Sequence, residues 1–288
     1  MTNNQEPADD VSISSSYHAD AVIQHFDSFG VQEWERLVQT PAHEVNLYIH
    51  TYYLEKYISA GQRVLEIGAG AGRFTQVLAR LGAQILVADI SSVQLSLNRR
   101  FASELGFVQN VLDWQQVDIC DLSSFQIDSF DCVVAYGGAV SYVLDQRDRA
   151  LSECLRALRP GGLLILSVMS MWGSAHAGLD NVLSTPILSN QKITTTGDIS
   201  PETFPERKGH YMHMFRANEL RRWLEQKKLT LLELSASGCL SLTWGESLRN
   251  IRKDEDKWNE LLRMELEACA DEGCLNMGTH LIAVARKP

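Results

Sequence analysis

Short apolar runs alternate with amphipathic segments through the middle of the chain. Five of these runs have the length and apolar content of buried strands, and the segments between them carry apolar residues at helical spacing. The five predicted strands are 63–67, 84–88, 114–117, 130–135 and 162–168. Because strands that alternate with helices pair in parallel through right-handed crossovers, the pattern predicts an α/β fold with a mostly parallel sheet.

Helical stretches precede the first predicted strand. Residues 18–38 show two short ones, broken near Gly30, and residues 42–58 show a stronger one whose apolar and aromatic positions share a face. We therefore expect an N-terminal helical cap over residues 17–60. The tail at 1–16 is polar and rich in serine, and we expect it to be disordered.

The periodic pattern stops after the fifth strand. Residues 170–214 are rich in turn-forming polar residues and have few periodic apolar positions, so we expect a long lid loop there. The pattern resumes with two helices and two strands, predicted at 217–228 (helix), 229–235 (strand), 252–272 (helix) and 280–285 (strand). The second of these helices lies in a helical insertion at 237–278, within a sheet domain expected to cover 61–288.

The first predicted strand ends in a glycine-rich turn. Gly68, Gly70 and Gly72 follow the apolar run, and apolar residues at helical spacing resume at Phe74. A strand, a glycine turn and a helix let the backbone approach a cofactor closely and present the N–H groups of a helix N-terminus. A dinucleotide fingerprint is spaced G-x-G-x-x-G, and its third glycine packs the helix against the strand. Arg73 occupies that third position here, which disfavours a dinucleotide.

Acidic residues end the next two predicted strands. Asp89 lies nineteen residues beyond Gly70, where a carboxylate can accept both hydroxyls of a ribose. Asp118 ends the third strand. Before the fifth strand, a helix with cations in its last turn meets a Pro-Gly-Gly stop at 160–162. These features occur in order, at intervals that one nucleoside-containing cofactor would require.

Glu66 and the three glycines together resemble motif I of the class I S-adenosylmethionine-dependent methyltransferases, E/D-x-G-x-G-x-G. The Leu-Arg-Pro-Gly-Gly junction at 158–162 is also typical of that family, and the resemblance covers about residues 60–170. It implies a doubly wound, Rossmann-like sheet of seven mostly parallel strands with an antiparallel last strand. It also implies S-adenosylmethionine as the cofactor and methyl transfer to oxygen or nitrogen of a small molecule.

The resemblance also implies roles for individual residues. The acid of motif I, here Glu66, would help hold the methionine ammonium, and the glycine backbone would lie against the methionine. Asp89 would accept the ribose hydroxyls, and Asp118 would take the adenine amine between two isoleucines. Independently of the resemblance, Tyr136 precedes two glycines after the fourth strand, where the backbone could approach the sulfonium and the acceptor. The predicted cofactor-binding residues are Glu66, Gly68, Ala69, Gly70, Asp89, Ile90, Asp118, Ile119 and Tyr136.

Methyl transfer needs a base only where the acceptor loses a proton, as a hydroxyl does. His210 and His213, at the end of the expected lid, are the candidate catalytic bases. Three residues apart in an extended stretch, they point to opposite sides, so at most one would face the pocket. An equally good alternative is that His213 caps the following helix.

The segments that would cap the site are rich in apolar and aromatic residues, which favours a hydrophobic or aromatic small acceptor. These rim residues are Trp34, Tyr48, Tyr52, Trp172, Tyr211, Met212, Met214 and Phe215.

Composition narrows the function further. The net charge is −10, five acids and no lysine or arginine lie in residues 1–30, and no basic stripe is present, which argues against nucleic acid as a partner. The chain has no cationic leader, no C-x-x-C pair and no apolar run near the ~20 residues of a membrane span. We therefore expect reduced thiols, no bound metal, no membrane partner and a cytoplasmic location. Two alternatives remain open, an NAD-dependent oxidoreductase and a non-catalytic S-adenosylmethionine-binding protein, and the oligomeric state could be monomer or homodimer.

Overall fold

The structure is a computed structural model that describes residues 16–205 and 211–288. The described strands are β1 (Arg63–Ile67), β2 (Gln84–Asp89), β3 (Val111–Gln116), β4 (Phe130–Ala135), β5 (Leu158–Met169), β6 (Asp198–Ile199), β7 (Met212–His213), β8 (Thr230–Ser237) and β9 (His280–Arg286). The described α-helices are α1 (Ala19–Phe29), α2 (Gln32–Arg36), α3 (Pro41–Tyr57), α4 (Arg73–Arg80), α5 (Ser92–Glu104), α6 (Arg147–Ala157), α7 (Met171–Ala177), α8 (Leu179–Ser184), α9 (Ile187–Thr196), α10 (Ala217–Gln226), α11 (Gly245–Ile251) and α12 (Glu255–Ala270).

Seven strands form the main sheet in the order β3-β2-β1-β4-β5-β9-β8. The strands β1 to β5 pair in parallel, whereas β9 runs antiparallel to both of its neighbours, β5 and β8. The predicted doubly wound, mostly parallel sheet with an antiparallel last strand is confirmed. The strand order reverses between β1 and β4, so the carboxyl ends of these two strands flank the crevice in which such sheets bind ligands.

Both faces of the sheet are buried, as expected for parallel strands with helices on each side. Along β1, Leu65 packs into the core on one face, whereas Val64 packs into the core on the other. The first core includes Leu151 of α6, and the second includes Ile49 of α3. The two cores hold the strand ends rigidly, and the loops that follow these strands can then position functional groups.

The segment 170–214 contains regular structure, so the expectation of one long loop was wrong. The helices α7, α8 and α9 follow one another there, and the strands β6 and β7 pair antiparallel. Each of these helices has at most 10 residues and buries few side chains, for example Met171 in α7 and Ile193 in α9. Such short helices give too few repeats for a helical period to be visible in the sequence.

The junction before β5 also differs from the prediction. The helix α6 ends at Ala157, and β5 begins at the next residue, so Pro160 and the two glycines lie within the strand. The pairing of β4 with β5 shifts register between Phe130 and Cys132, which accommodates this stretch as a bulge.

The helices α1, α2 and α3 form the N-terminal cap that the sequence predicts. The expected disordered tail, residues 1–16, falls outside the described residues except for its last member. Within the part of the chain that is described, no helix combines the length and the apolar character needed to cross a membrane.

Candidate active site

A cavity opens at the carboxyl ends of β1, β2, β3 and β4, beneath the N-terminal helices. Seven of the nine predicted cofactor-binding residues line it: Gly68, Gly70, Asp89, Ile90, Asp118, Ile119 and Tyr136. The structure thus brings together residues from four separate loops. Loops at the strand ends of a doubly wound sheet are where such ligand sites form.

The glycine turn forms the floor of this cavity. Gly68 and Gly70 have φ values of 66° and 54°, a left-handed conformation that favours glycine. A Cβ atom on Gly68 would lie 2.8 Å from the Cβ of Ala139, which also lines the cavity. The turn therefore requires glycine both for its backbone angles and for its close packing against the loop after β4.

Asp89 ends β2 with its carboxylate tied to the glycine turn. Its two oxygens accept hydrogen bonds from the N–H groups of Gly70 and Ser91, each at 2.8 Å. Burial raises the pKa of Asp89 to about 6, although these N–H donors act in the opposite direction. The carboxylate lies in the cavity wall, in the place where the sequence predicts a partner for ribose hydroxyls.

Asp118 has a partner that the sequence did not suggest. The Tyr17 hydroxyl donates to Asp118 Oδ2 at 2.9 Å, and the N–H of Cys120 donates to Oδ1 at 2.8 Å. Burial raises the pKa of Tyr17, and the charge of Asp118 raises it further. Tyr17 therefore stays protonated and joins the start of the N-terminal cap to the predicted adenine site.

Other cap residues also form part of the wall. Val22 and Phe26 of α1 and Glu33 of α2 line the cavity together with Gln94 of α5. Nothing in the local sequence of α1 or α2 indicates this role, because it depends on where the two helices dock.

Two predicted residues do not line the cavity. Glu66 is buried in β1, only 2% exposed, and the N–H of Ala69 is bonded to the Ala88 carbonyl. Burial raises the pKa of Glu66 to about 8, although a hydrogen bond with Thr75 lowers it. Glu66 is thus buried and absent from the described lining of the cavity, and its predicted contact with the methionine ammonium stays a prediction.

His213 is buried between two carboxylates. Its Nδ1 atom lies 2.6 Å from Asp198 Oδ1, and its Nε2 atom lies 2.7 Å from Glu219 Oε1. The β6–β7 pairing places Asp198 beside it, and the first turn of α10 supplies Glu219. With both ring nitrogens engaged and the ring away from the cavity wall, this geometry supports a structural role and not the predicted role of general base. The other candidate base, His210, lies outside the described residues.

A second cavity adjoins the end of β5, and four of its fifteen lining residues are methionines, whereas five are Ser, Asn or Thr. Four of the seven methionines of the chain line it, namely Met169, Met171, Met212 and Met214. Phe204 contributes to the same wall. Of the eight predicted rim residues, Met212 and Met214 line this cavity. Others point elsewhere, and Trp172, for example, is 47% exposed.

Tyr142 lies between the two cavities. It lines the first one, and it packs against the apolar cluster around the second. Its hydroxyl lies 3.9 Å from the Met169 sulfur. The two cavities therefore share this boundary, at the carboxyl ends of β4 and β5.

A group of potential metal ligands, Cys239, Glu265 and Cys269, is buried at a distinct place in the described structure. The Glu265 carboxylate already accepts hydrogen bonds from the N–H groups of Cys239 and Leu240. None of the three lines either cavity. The expectation that the protein binds no metal stays a prediction.

Comparison with known proteins places the chain among methyltransferases. A family model described as a methyltransferase domain matches residues 65–166. A ubiquinone biosynthesis O-methyltransferase from Xanthomonas oryzae pv. oryzae (strain PXO99A) is 27% identical over 250 residues, which cover 86% of this chain and 93% of that protein.

Solved structures with a similar fold include the [4+2]-cyclase SpnF, with a TM-score of 0.61, 19% identity and coverage of 96% of this chain and 98% of that one. They also include the Burkholderia thailandensis 1,6-didemethyltoxoflavin-N1-methyltransferase, bound to its substrate and S-adenosylhomocysteine. For that enzyme the TM-score is 0.56, the identity 14% and the coverage 93% and 88% of the two chains.

The fold, with its glycine turn and acid-lined cavity, is that of the class I methyltransferases. The matched domain runs from within β1 to within β5 and so includes the loops after β1, β2, β3 and β4 that line this cavity. The chain is an S-adenosylmethionine-dependent methyltransferase. The oxidoreductase and the non-catalytic alternatives find no support in these comparisons.

Proposed function

We propose that the enzyme methylates a hydroxyl group on a hydrophobic or aromatic small molecule. The second cavity, with its four methionines beside Tyr142, is the observation that carries this proposal. Methionine side chains are flexible and polarizable, so they can adapt to an apolar ligand of irregular shape and make favourable contacts with aromatic rings. The ubiquinone biosynthesis O-methyltransferases that resemble this chain support oxygen as the atom that accepts the methyl group.

The first cavity has the chemistry to hold the cofactor. Its carboxylate at Asp89 suits ribose hydroxyls, and Asp118 suits the adenine amine. The positive φ angles of Gly68 and Gly70 allow the backbone to lie close to the ligand. When it is bound, the cofactor supplies an activated methyl group on its sulfonium. The contribution of these residues is to fix the orientation of the two reactants, which can lower the barrier by roughly 7–11 kcal/mol in favourable cases.

Tyr142 is suited to positioning the acceptor and not to removing its proton. Burial raises its pKa to about 12, although the positive charge of Arg36 opposes this shift. The phenol is therefore protonated at neutral pH and can act only as a hydrogen-bond donor or acceptor. His210 stays the predicted base, and residues 170–214, with their short helices, stay the predicted lid over the acceptor.

The cytoplasmic location and the absence of nucleic-acid and membrane partners also stay predictions. The oligomeric state remains open between monomer and homodimer. The acceptor proposal can be tested without information on any of these points.

Transfer of an isotopically labelled methyl group to a panel of hydrophobic phenols, amines and charged metabolites tests the proposal. We expect phenols to be methylated. We expect Met212→Trp, which places a larger side chain in the second cavity, to raise KM for the acceptor at least about tenfold, because the added ring occupies space that the ligand needs and so costs about 1.4 kcal/mol or more of binding energy. Affinity for S-adenosylhomocysteine should not change.

Met264→Trp is the matched control, because Met264 lies on α12 and is 44% exposed. Methylation confined to amines or to charged acceptors would contradict the proposed substrate class. An unchanged KM in Met212→Trp would remove the second cavity from acceptor binding.

A further inference from the structure

The methionine part of the cofactor ends in an ammonium and a carboxylate, and the cavity wall needs partners for both. The charged residues among the described lining are Glu33, Asp89 and Asp118. Asp89 and Asp118 have the positions expected for ribose and adenine contacts. Glu66, the acid that the motif suggests for the ammonium, is buried in β1 behind the wall. Glu33 is therefore the remaining carboxylate among the described lining residues.

Glu33 lies directly over the glycine turn. A Cβ atom on Gly70 would lie 3.4 Å from Glu33 Cγ and 3.9 Å from Glu33 Oε1. The Glu33 side chain is only 14% exposed. Burial is the main cause that raises the pKa of Asp89, and the negative charge of Glu33 raises it further. The Glu33 carboxylate is thus next to the backbone against which the methionine is expected to lie.

Arg36, one helical turn further along α2, is paired with this carboxylate through two hydrogen bonds. Arg36 Nε donates to Glu33 Oε2 at 3.0 Å, and a terminal nitrogen donates to Oε1 at 2.5 Å. Arg36 is not among the described residues that line either cavity. Burial raises the pKa of Tyr142, which lines the first one, and the positive charge of Arg36 lowers it. A guanidinium is the side chain best matched to a carboxylate by paired, parallel hydrogen bonds.

We infer that the Glu33–Arg36 pair is the binding subsite for the amino-acid end of the cofactor, with Glu33 taking the ammonium and Arg36 the carboxylate. An ion pair is complementary to a zwitterion. When the ligand binds, its ammonium can replace Arg36 as the partner of the Glu33 carboxylate, and its carboxylate can replace Glu33 as the partner of the Arg36 guanidinium. The inference rests on the cofactor assignment and not on the proposed acceptor.

The helix that carries this pair is fixed over the glycine turn by Arg73. The Arg73 guanidinium lies 3.7 Å from the centre of the Trp34 ring, and its Nε atom donates to the Trp34 carbonyl at 3.2 Å. On its other side, Trp34 stacks on Phe101 of α5, with ring centres 4.2 Å apart. Arg73 stands where a dinucleotide fingerprint would have its third glycine. In this chain it is a positioning residue that joins the glycine turn to α2.

Two ligands that differ only at the amino-acid end separate this inference from its alternatives. S-Adenosylhomocysteine has that end, whereas 5′-methylthioadenosine keeps the adenine, ribose and thioether and lacks it. We expect Glu33→Gln and Arg36→Met each to weaken S-adenosylhomocysteine binding about 10- to 100-fold by calorimetry, the range for one charged hydrogen-bonded contact. Binding of 5′-methylthioadenosine should stay within about twofold of the wild type, and Arg36→Lys should lose less than Arg36→Met because it keeps the charge.

Controls distinguish a wrong subsite from a wrong cofactor. Asp89→Ala should weaken both ligands, because both carry the ribose, and thermal melting should show that each variant is folded. If the wild-type protein binds neither ligand, the cofactor assignment itself fails. If Glu33→Gln and Arg36→Met lower the affinity for both ligands equally, or leave both affinities unchanged, the pair is only a structural ion pair. A loss specific to S-adenosylhomocysteine in Glu66→Gln and absent from Glu33→Gln would return the ammonium to Glu66.

Discussion

Replacement of Gly68 by alanine should disrupt the glycine turn for two separable reasons. The φ of 66° is a left-handed conformation that costs a side-chain-bearing residue about 1–2 kcal/mol. The added Cβ would also lie 2.8 Å from the Ala139 Cβ, and overpacking of this kind costs about 1–3 kcal/mol. The free energy of unfolding should therefore fall by about 2–5 kcal/mol, out of the ~5–15 kcal/mol typical of a folded domain.

Two further variants separate strain from clash. Gly61 has a φ of 81°, and apart from its chain neighbours no described atom lies within 4 Å of a Cβ built there. Gly61→Ala should therefore show the backbone cost alone, about 1–2 kcal/mol. In the double variant with Ala139→Gly, the clash at Gly68→Ala disappears while the strain remains. The loss of unfolding free energy in the double variant should therefore be smaller than the sum of the losses in the two single variants.

Urea denaturation measures the free energy of unfolding of each variant. Titration with S-adenosylhomocysteine measures the affinity of each variant for the ligand and so tests whether the turn forms part of the binding surface. Since Ala139 also lines the cavity, Gly68→Ala should lower affinity at least about tenfold, and Gly61→Ala should leave it unchanged. A Gly68→Ala variant that is no less stable than Gly61→Ala, or that regains no stability when Ala139→Gly is added, would show that the clash with Ala139 costs nothing. Affinity that is equal to that of the wild type would mean that the turn does not contact the cofactor.

Two further predictions concern buried polar groups. Burial raises the pKa of Glu66 to about 8 from its usual 4.5. Between these pH values the unfolded chain has released a proton that the folded protein keeps, so the free energy of unfolding should fall as the pH rises from 4.5 to 8. Glu66→Gln should remove this fall, because glutamine does not titrate. Urea midpoints at pH 5 and pH 8 measure this fall in the wild type and in Glu66→Gln. An equal change in midpoint between the two pH values in both proteins would contradict the prediction. His213→Ala leaves Asp198 and Glu219 without their buried partner, so it should reduce the free energy of unfolding by about 1–3 kcal/mol and leave affinity for S-adenosylhomocysteine intact. His213 would be restored as the predicted base by a different result: a His213→Ala variant that is as stable as the wild type but methylates an identified hydroxyl acceptor at least about 10²-fold more slowly.

The parts of the site that the sequence predicted belong to single strand–turn–helix units. Gly68, Gly70 and Asp89 follow strands directly, so the apolar pattern that locates the strand also locates them. The predicted contact of Glu66 with the cofactor stays a prediction. The motif gives its position in β1, but only the structure shows that the side chain is buried and absent from the described lining of the cavity.

Residues that come from the cap could not be predicted in the same way. The sequence indicates that α1 and α2 are helices, but the contacts of Tyr17 and Glu33 depend on where those helices dock. His213 shows the same limit at the other end of the chain. Its partners, Asp198 and Glu219, come from a two-residue strand and from the first turn of α10, and neither has a periodic signal. Tertiary contacts, and not local propensity, decide which polar groups meet.

The cap and the cofactor site are joined at the residues that immediately follow β2. Ser91 donates its N–H to Asp89, and its hydroxyl donates to Asp27 of α1 at 2.5 Å. Gln94, which lines the cavity, donates to the Phe26 carbonyl at 2.9 Å. The segment that holds the Asp89 carboxylate is thus also the segment to which α1 is bonded. If Asp89 binds the ribose as predicted, we expect a bound cofactor to stabilise the docked position of α1 as well. Closing the site in this way would expel water from the reactants.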